Sequence, residues 1–175
     1  MVNDTDHSFY WIALKKEGPA AQQAWVWKSF LRGLQTLFMD PYLDKRPKRN
    51  DPIGTDPRDA NFGVAVDPYW ETIRKAMGRT LMIAQKVNLA TMTPQNALSS
   101  TTYCLADPGS EYLVYQPKPG SFTVTLAAGS YLVEWFDPTT GATATAGTVI
   151  GGQAPNFTPP FQGDAVLYLH VAPAR

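Results

Sequence analysis

The stretch Thr36-Leu37-Phe38-Met39-Asp40-Pro41-Tyr42 constrains this chain most, because an apolar run without alternation ends abruptly in a carboxylate, a proline and an aromatic ring. Such a run suits a short strand covered on both faces, the habit of parallel sheets packed between helices. Pro41 has no N–H to offer a ladder and stops the strand there. Asp40 is thereby delivered to a strand end, where it reads either as a functional carboxylate or as the cap of a turn. Upstream, Met1-Val2-Asn3 has the character of the last residues of another strand, followed at once by Asp4-Thr5-Asp6-His7. Two acids and a histidine so close together suit catalysis or a metal, and equally an Asx-rich turn. The aromatics Tyr10 and Trp11 that follow suit stacking on a sugar ring or covering apolar side chains.

Gly18-Pro19 then punctuates the chain, and a proline at the first helical position is pre-organised for a helix. Trp27, Phe30, Leu31 and Leu34 recur at the spacing of one helix face, which predicts an amphipathic helix from Pro19 that Gly33 helps to end. Strand, loop, helix and strand thus fit between Val2 and Thr36, about the length a βαβ unit requires. From Tyr42 to about Val66 there is no periodicity, so the stretch reads as a long loop. Its cluster Lys45, Arg46, Lys48 and Arg49 reads as a solvated charge run or a meeting point for an acidic sugar. Asp67-Pro68 opens a second amphipathic helix carrying Trp70, Ile73, Met77, Leu81 and Ala84, expected to end near Val87.

From Thr91 helical spacing disappears, and short apolar runs separated by glycine and proline turns take over. Strands are expected at Tyr103–Ala106, Glu111–Gln116, Ser121–Leu126, Tyr131–Asp137, Ala142–Ile150 and Ala165–Val171. Asp137-Pro138-Thr139-Thr140-Gly141 reads as a hairpin connector. The grammar predicts two domains: residues 1–90 built from two βα units, and residues 91–175 as an antiparallel β-sandwich. Within the sandwich, Trp135 reads as a core tryptophan or a carbohydrate platform, and His170 as a structural histidine rather than a catalytic one. Fifteen basic and fifteen acidic residues cancel, which argues against nucleic acid or an anionic membrane as partner. The single cysteine, Cys104, has no partner for an internal disulfide and reads as a buried inert thiol. The N-terminal residues do not read as a secretory signal, and no apolar run reaches the roughly 18 residues of a membrane span.

The order Asp4-Thr5-Asp6-His7, then Trp25-Val26-Trp27-Lys28-Ser29-Phe30, then Leu37-Phe38-Met39-Asp40-Pro41-Tyr42 resembles the end of the barrel in apiosidase-like glycoside hydrolases. Glu111-Tyr112-Leu113-Val114-Tyr115, Trp135-Phe136-Asp137-Pro138-Thr139-Thr140-Gly141 and Pro159-Pro160-Phe161-Gln162-Gly163-Asp164 are similar to the collagen-binding-type domain attached to those barrels. No residue argues for collagen itself. The fold class implied is α/β plus all-β: the last two βα units of a (β/α)8 barrel followed by a small antiparallel β-sandwich.

The resemblance implies a glycosidase acting on plant-type polysaccharide with two carboxylates across the scissile bond, of which the acid/base sits on an earlier strand. Asp4 and Asp6 fall where the seventh strand meets the sugar, a place for which the family usually has Glu, and Asp40 ends the next strand. The expected catalytic residues are therefore Asp6, Asp4 and Asp40, and the expected substrate contacts His7, Trp11 and Tyr42, with no metal or cofactor. The chain is expected to be a C-terminal segment, inactive alone because the other carboxylate is missing. Its expected partners are a polysaccharide or oligosaccharide and, through open strand edges, the rest of a barrel or a second copy. The parent enzyme is expected to be secreted or periplasmic. Two alternatives are a non-catalytic carbohydrate-binding or structural module, with Trp135 or Tyr131 as platform, and a small hydrolase built on Asp4, Asp6 and His7.

Overall fold

The computed structural model describes residues 2–4, 17–38, 43–44, 65–66 and 71–171. Strand β1 (Val2–Asp4) pairs in parallel with β2 (Gln35–Leu37), Val2 lying opposite Gln35 and Asp4 opposite Leu37. Helix α1 (Pro19–Leu31) lies between them in sequence, as the spacing predicts. The strand expected to run to Asp40 ends its ladder at Leu37. The stretch read as a long loop has paired ends instead, because β3 (Leu43–Asp44) and β4 (Ala65–Val66) join antiparallel. Helix α2 (Glu71–Ala84) follows.

Local chemistry sets the limits of α1. Pro19 occupies the first turn after Gly18, and the helix closes at Gly33 with φ +69°. The Gly33 N–H donates to the Phe30 carbonyl at 2.9 Å and the Leu34 N–H to the Ser29 carbonyl at 3.0 Å. These paired bonds form a Schellman motif, and the left-handed residue it needs is cheapest as glycine.

The second half forms a six-stranded antiparallel sheet of β5 (Thr93–Pro94), β6 (Cys104–Asp107), β7 (Glu111–Gln116), β9 (Ser130–Phe136), β10 (Thr143–Ile150) and β12 (Ala165–Val171). Their order is β10-β9-β12-β7-β6-β5. Pro94 is tolerated because β5 is an edge strand. Against one face lies a second layer in which β8 (Phe122–Thr123) pairs antiparallel with β11 (Asn156–Phe157). The strand expected over Ser121–Leu126 is shorter than its alternation suggests. Beyond Thr123 its backbone bonds go to irregular neighbours, Thr125 N–H to the Leu98 carbonyl and Leu126 N–H to the Gln153 carbonyl.

The sheet has two apolar faces, and that decides how the helices sit. Tyr112, Val114, Tyr131, Trp135, Leu167 and Leu169 pack against Phe122, Val124 and Phe157 of the second layer. On the opposite face Leu113, Tyr115, Phe136 and Val166 meet Trp27 and Leu31 of α1 and Ile83 beyond them. The continuous burial of β7 and β12 follows from this double covering. An antiparallel sheet commonly leaves one face to water, and here α1 and the residues around Ile83 cover that face. The sandwich is therefore not self-contained: α1 supplies part of its covering.

Helix α1 is also buried on a second side. Trp25 and Val26 pack with Ile73 and Ala76 of α2, with Phe38 at the margin. The expected single stripe through Trp27 and Leu31 is thus the smaller part of what the helix buries, since Gln22, Gln23, Trp25, Val26 and Ser29 are buried too. Ser29 is satisfied by donating to the Trp25 carbonyl at 2.7 Å. Both polar atoms of the Gln22 amide, by contrast, are sealed without a hydrogen-bond partner among the described residues. A buried amide of this kind costs about 1–3 kcal/mol. Gln22→Met keeps the length of the side chain and removes that cost, so it is expected to raise unfolding free energy by about 1–2 kcal/mol in urea denaturation, with an unchanged m-value.

Candidate functional site

Asp4 is the last residue of β1, with Leu37 opposite it in the parallel pair. Asp6, His7, Trp11, Asp40 and Tyr42 lie outside the described residues. Among the described residues no cluster of three or more His, Cys, Asp or Glu is placed to hold a metal. Burial removes two other expectations. Trp135, 4% exposed, and Tyr131, fully buried, are core residues and offer no platform to a sugar. Cys104 is fully buried, and burial pushes its thiol pKa up to about 12, so it stays an inert thiol.

The polar geometry that is best formed lies where α1 meets the sandwich. Gln23, 6% exposed, reaches out of the first turns of α1. Its amide nitrogen donates to Thr139 Oγ1 at 2.9 Å and to the two Asp164 oxygens at 3.0 and 2.9 Å. Tyr115 of β7 donates its hydroxyl to Asp164 Oδ2 at 2.7 Å. Burial first, and then the Asp164 charge and hydrogen bond, hold the Tyr115 phenol well above its ordinary pKa. It therefore remains a donor across the physiological range. Bonds to a carboxylate are stronger than bonds between neutral groups, so this small network fastens the helix to two sandwich loops.

The loop that carries Thr139 is built to hold it. Asp137 Oδ1 accepts the Thr139 N–H at 2.7 Å and the Thr140 N–H at 3.2 Å, while Oδ2 takes the Thr140 hydroxyl at 2.7 Å. The Gly141 N–H closes the turn on the Asp137 carbonyl at 2.8 Å, with φ +81° at Gly141. Arg79 of α2 then donates through Nη1 to the Pro138 carbonyl at 2.8 Å, so the turn touches both helices. Behind it, Trp27 stacks on Tyr115 with ring centroids 6.1 Å apart and meets Phe136 at 5.7 Å. The hairpin connector and the Pro159–Asp164 stretch are thus docking elements. Gln23, Tyr115 and Arg79 were not singled out by sequence reasoning, because a glutamine in a helix and a tyrosine in a strand carry no spacing signal.

A second polar group sits on the same sheet face near the end of α2. Lys86 and His170 both contact Glu134, His170 Nε2 at 3.1 Å from Oε1, and Tyr168 donates to Glu111 Oε2 at 2.9 Å. His170 also stacks on Tyr168 with centroids 4.9 Å apart. It is half-buried and paired, as a structural histidine should be. Burial raises the Glu134 pKa, but the Lys86 and His170 contacts outweigh it and leave the carboxyl below its ordinary range.

A family model described as "Putative collagen-binding domain of a collagenase" matches residues 90–170, just under half of the chain. No curated protein matches the chain. Among solved structures, a glycoside hydrolase family 5 protein from Bacteroides vulgatus ATCC 8482 is similar at 13% identity and TM-score 0.64, over 87% of this chain and 36% of that one. A second structure, titled "Glycoside hydrolase", is similar at 11% identity and TM-score 0.65, over 90% of this chain and 38% of that one. At such identities the likeness is one of fold, and the chain spans little more than a third of each of these proteins.

Two measurements check the geometry. A double-mutant cycle on Gln23→Ala and Asp164→Ala is expected to return a coupling energy of about 1–3 kcal/mol, and additive effects would mean that the contact does not fasten the layers. Because the Glu134 pKa is lowered on folding, its contribution is complete above its unfolded value of 4.5 and is lost as pH falls through the folded value. Glu134→Gln is therefore expected to flatten the fall of stability below about pH 4.5, measured as Tm against pH.

Proposed function

We propose that this chain is the barrel-end and sandwich portion of a glycoside hydrolase of apiosidase-like type acting on plant-type polysaccharide, in which the sandwich serves as a buttress. The observation that carries the reading is the double burial of α1. A helix that follows β1 and precedes its parallel neighbour β2 is also packed and hydrogen-bonded to the sandwich. Fixing that helix fixes the strand ends on either side of it, Asp4 and the residues after Leu37. In a (β/α)8 barrel those ends line the substrate face. The fold likeness to two glycoside hydrolases and the family match over the sandwich support the same assignment.

In this reading Asp6, assisted by Asp4, supplies one of the two carboxylates and Asp40 flanks it, while His7, Trp11 and Tyr42 contact the sugar. Hydrolysis requires a proton donor and a nucleophile or base roughly 5–9.5 Å apart. The acid/base belongs to an earlier strand, so the 175-residue chain alone is inactive. Purified and incubated with a panel of plant cell-wall polysaccharides, it is expected to release no reducing sugar. Release that disappears in Asp6→Asn would contradict this and favour a self-sufficient aspartate site.

A further inference from the structure

The seam between helices and sandwich is open on one side. Beside the Gln23–Asp164 contact lies a cleft of about 610 Å3, lined by Pro19 of α1, Lys75 and Arg79 of α2, and Pro117, Pro119 and Asp164 of sandwich loops. Its size falls within the roughly 300–1,000 Å3 of small-ligand sites. We propose that this cleft binds an acidic saccharide, a uronate-containing oligosaccharide whose carboxylate is held by Arg79 and Lys75.

The two cations decide the charge of the ligand. Arg79 and Lys75 stand one turn apart on one face of α2. Arg79 uses Nη1 on the Pro138 carbonyl, and the rest of its five-donor fork has no partner among the described residues. A guanidinium anchored at one nitrogen and open at the others is already oriented for a carboxylate. Among the described residues Lys75 pairs only with Glu71, at 3.4 Å, and with side chains 57% and 48% exposed such a pair is worth little and is readily exchanged. Asp164, the carboxylate of the lining, has both oxygens occupied by Gln23 and one also by Tyr115. Asp164 keeps its negative charge, because both of its partners are neutral, but Lys75 and Arg79 outnumber that one carboxylate and leave the lining net positive.

The remaining wall decides the chemical class. Thr72 and Thr139 present hydroxyls, and the proline rings present apolar C–H surface. Alternating hydroxyl and C–H faces are what a sugar ring offers in return. An acidic peptide carries the same carboxylates without the alternating faces, which makes it the competing ligand for the test. The preference for a saccharide rests on the glycoside hydrolase reading above. Within it, the cleft adds a second contact with an acidic polymer, beside the first turns of both helices.

The test is isothermal titration of the full chain with trigalacturonate, with maltotriose as the neutral control and tetraglutamate as the acidic peptide control. Trigalacturonate is expected to bind saturably and the controls not to bind. Lys75→Glu and Arg79→Gln are each expected to weaken binding about tenfold or more, the loss of one charge-assisted contact. Lys75→Glu alters an exposed side chain, so an unchanged Tm keeps a loss of binding from being a loss of fold. Equal binding of maltotriose, stronger binding of tetraglutamate, full binding by both variants, or no titratable binding by the unaltered chain would overturn the proposal. No trigalacturonate binding together with an intact Gln23–Asp164 coupling removes the cleft assignment alone. Binding that persists without that coupling removes the buttress reading instead.

Discussion

The insertion of Trp27 into the outer face of the six-stranded sheet is the contact on which the remaining architecture depends. The indole is fully buried and lies between Tyr115 and Phe136, residues of β7 and β9. Two of the adjacent positions, Trp25 and Val26, turn instead toward α2. One helix of thirteen residues therefore closes two cores. A large aromatic side chain is well suited to this, because it removes a great deal of apolar surface from water at the cost of ordering few dihedrals. The indole N–H has no acceptor among the described residues, where the site is held by packing and not by hydrogen bonding at that atom.

The polar contacts at the rim have a different task. Apolar packing is tolerant of small slides, whereas Gln23 astride the Asp164 carboxylate and Arg79 on the Pro138 carbonyl fix where the layers stop. Each end of that set is itself braced, Asp164 by Tyr115 and the Thr139 loop by Asp137. The result is a seam whose geometry is over-determined beside a cleft that stays open. An open cleft on a rigid seam is the usual setting for ligand recognition, since no ordering is then required on binding.

Much of this was legible in the residues, and the exceptions have physical causes. Pro19 and Gly33 mark the two ends of α1 because each removes or permits a specific backbone conformation. Glu111–Gln116 and Ala165–Val171 were readable as strands because they are apolar on both sides. Of the second layer, β8 falls inside the expected strand but β11 was not readable, since Asn156–Phe157 is too short and too close to prolines to show a period. Gln22 and Gln23 carry no signal of burial in the sequence and are buried, because the tertiary packing of α1 against two partners places them inside. The carboxylate candidates stood out as acids at strand ends, while the seam residues have side chains whose meaning depends on partners 49 to 141 positions away. Sequence spacing carries no information about contacts of that range.

If α1 is shared between the helical layer and the sandwich, the two should open together. Native-state hydrogen exchange measures this directly, by comparing the opening free energies of amides in α1 with those in β7 and β12. The account predicts equal values in the unaltered chain and an equal fall in all three elements for Trp27→Ala. Amides of α1 that exchange through a separate, much lower opening, leaving β7 and β12 unchanged in the variant, would contradict it.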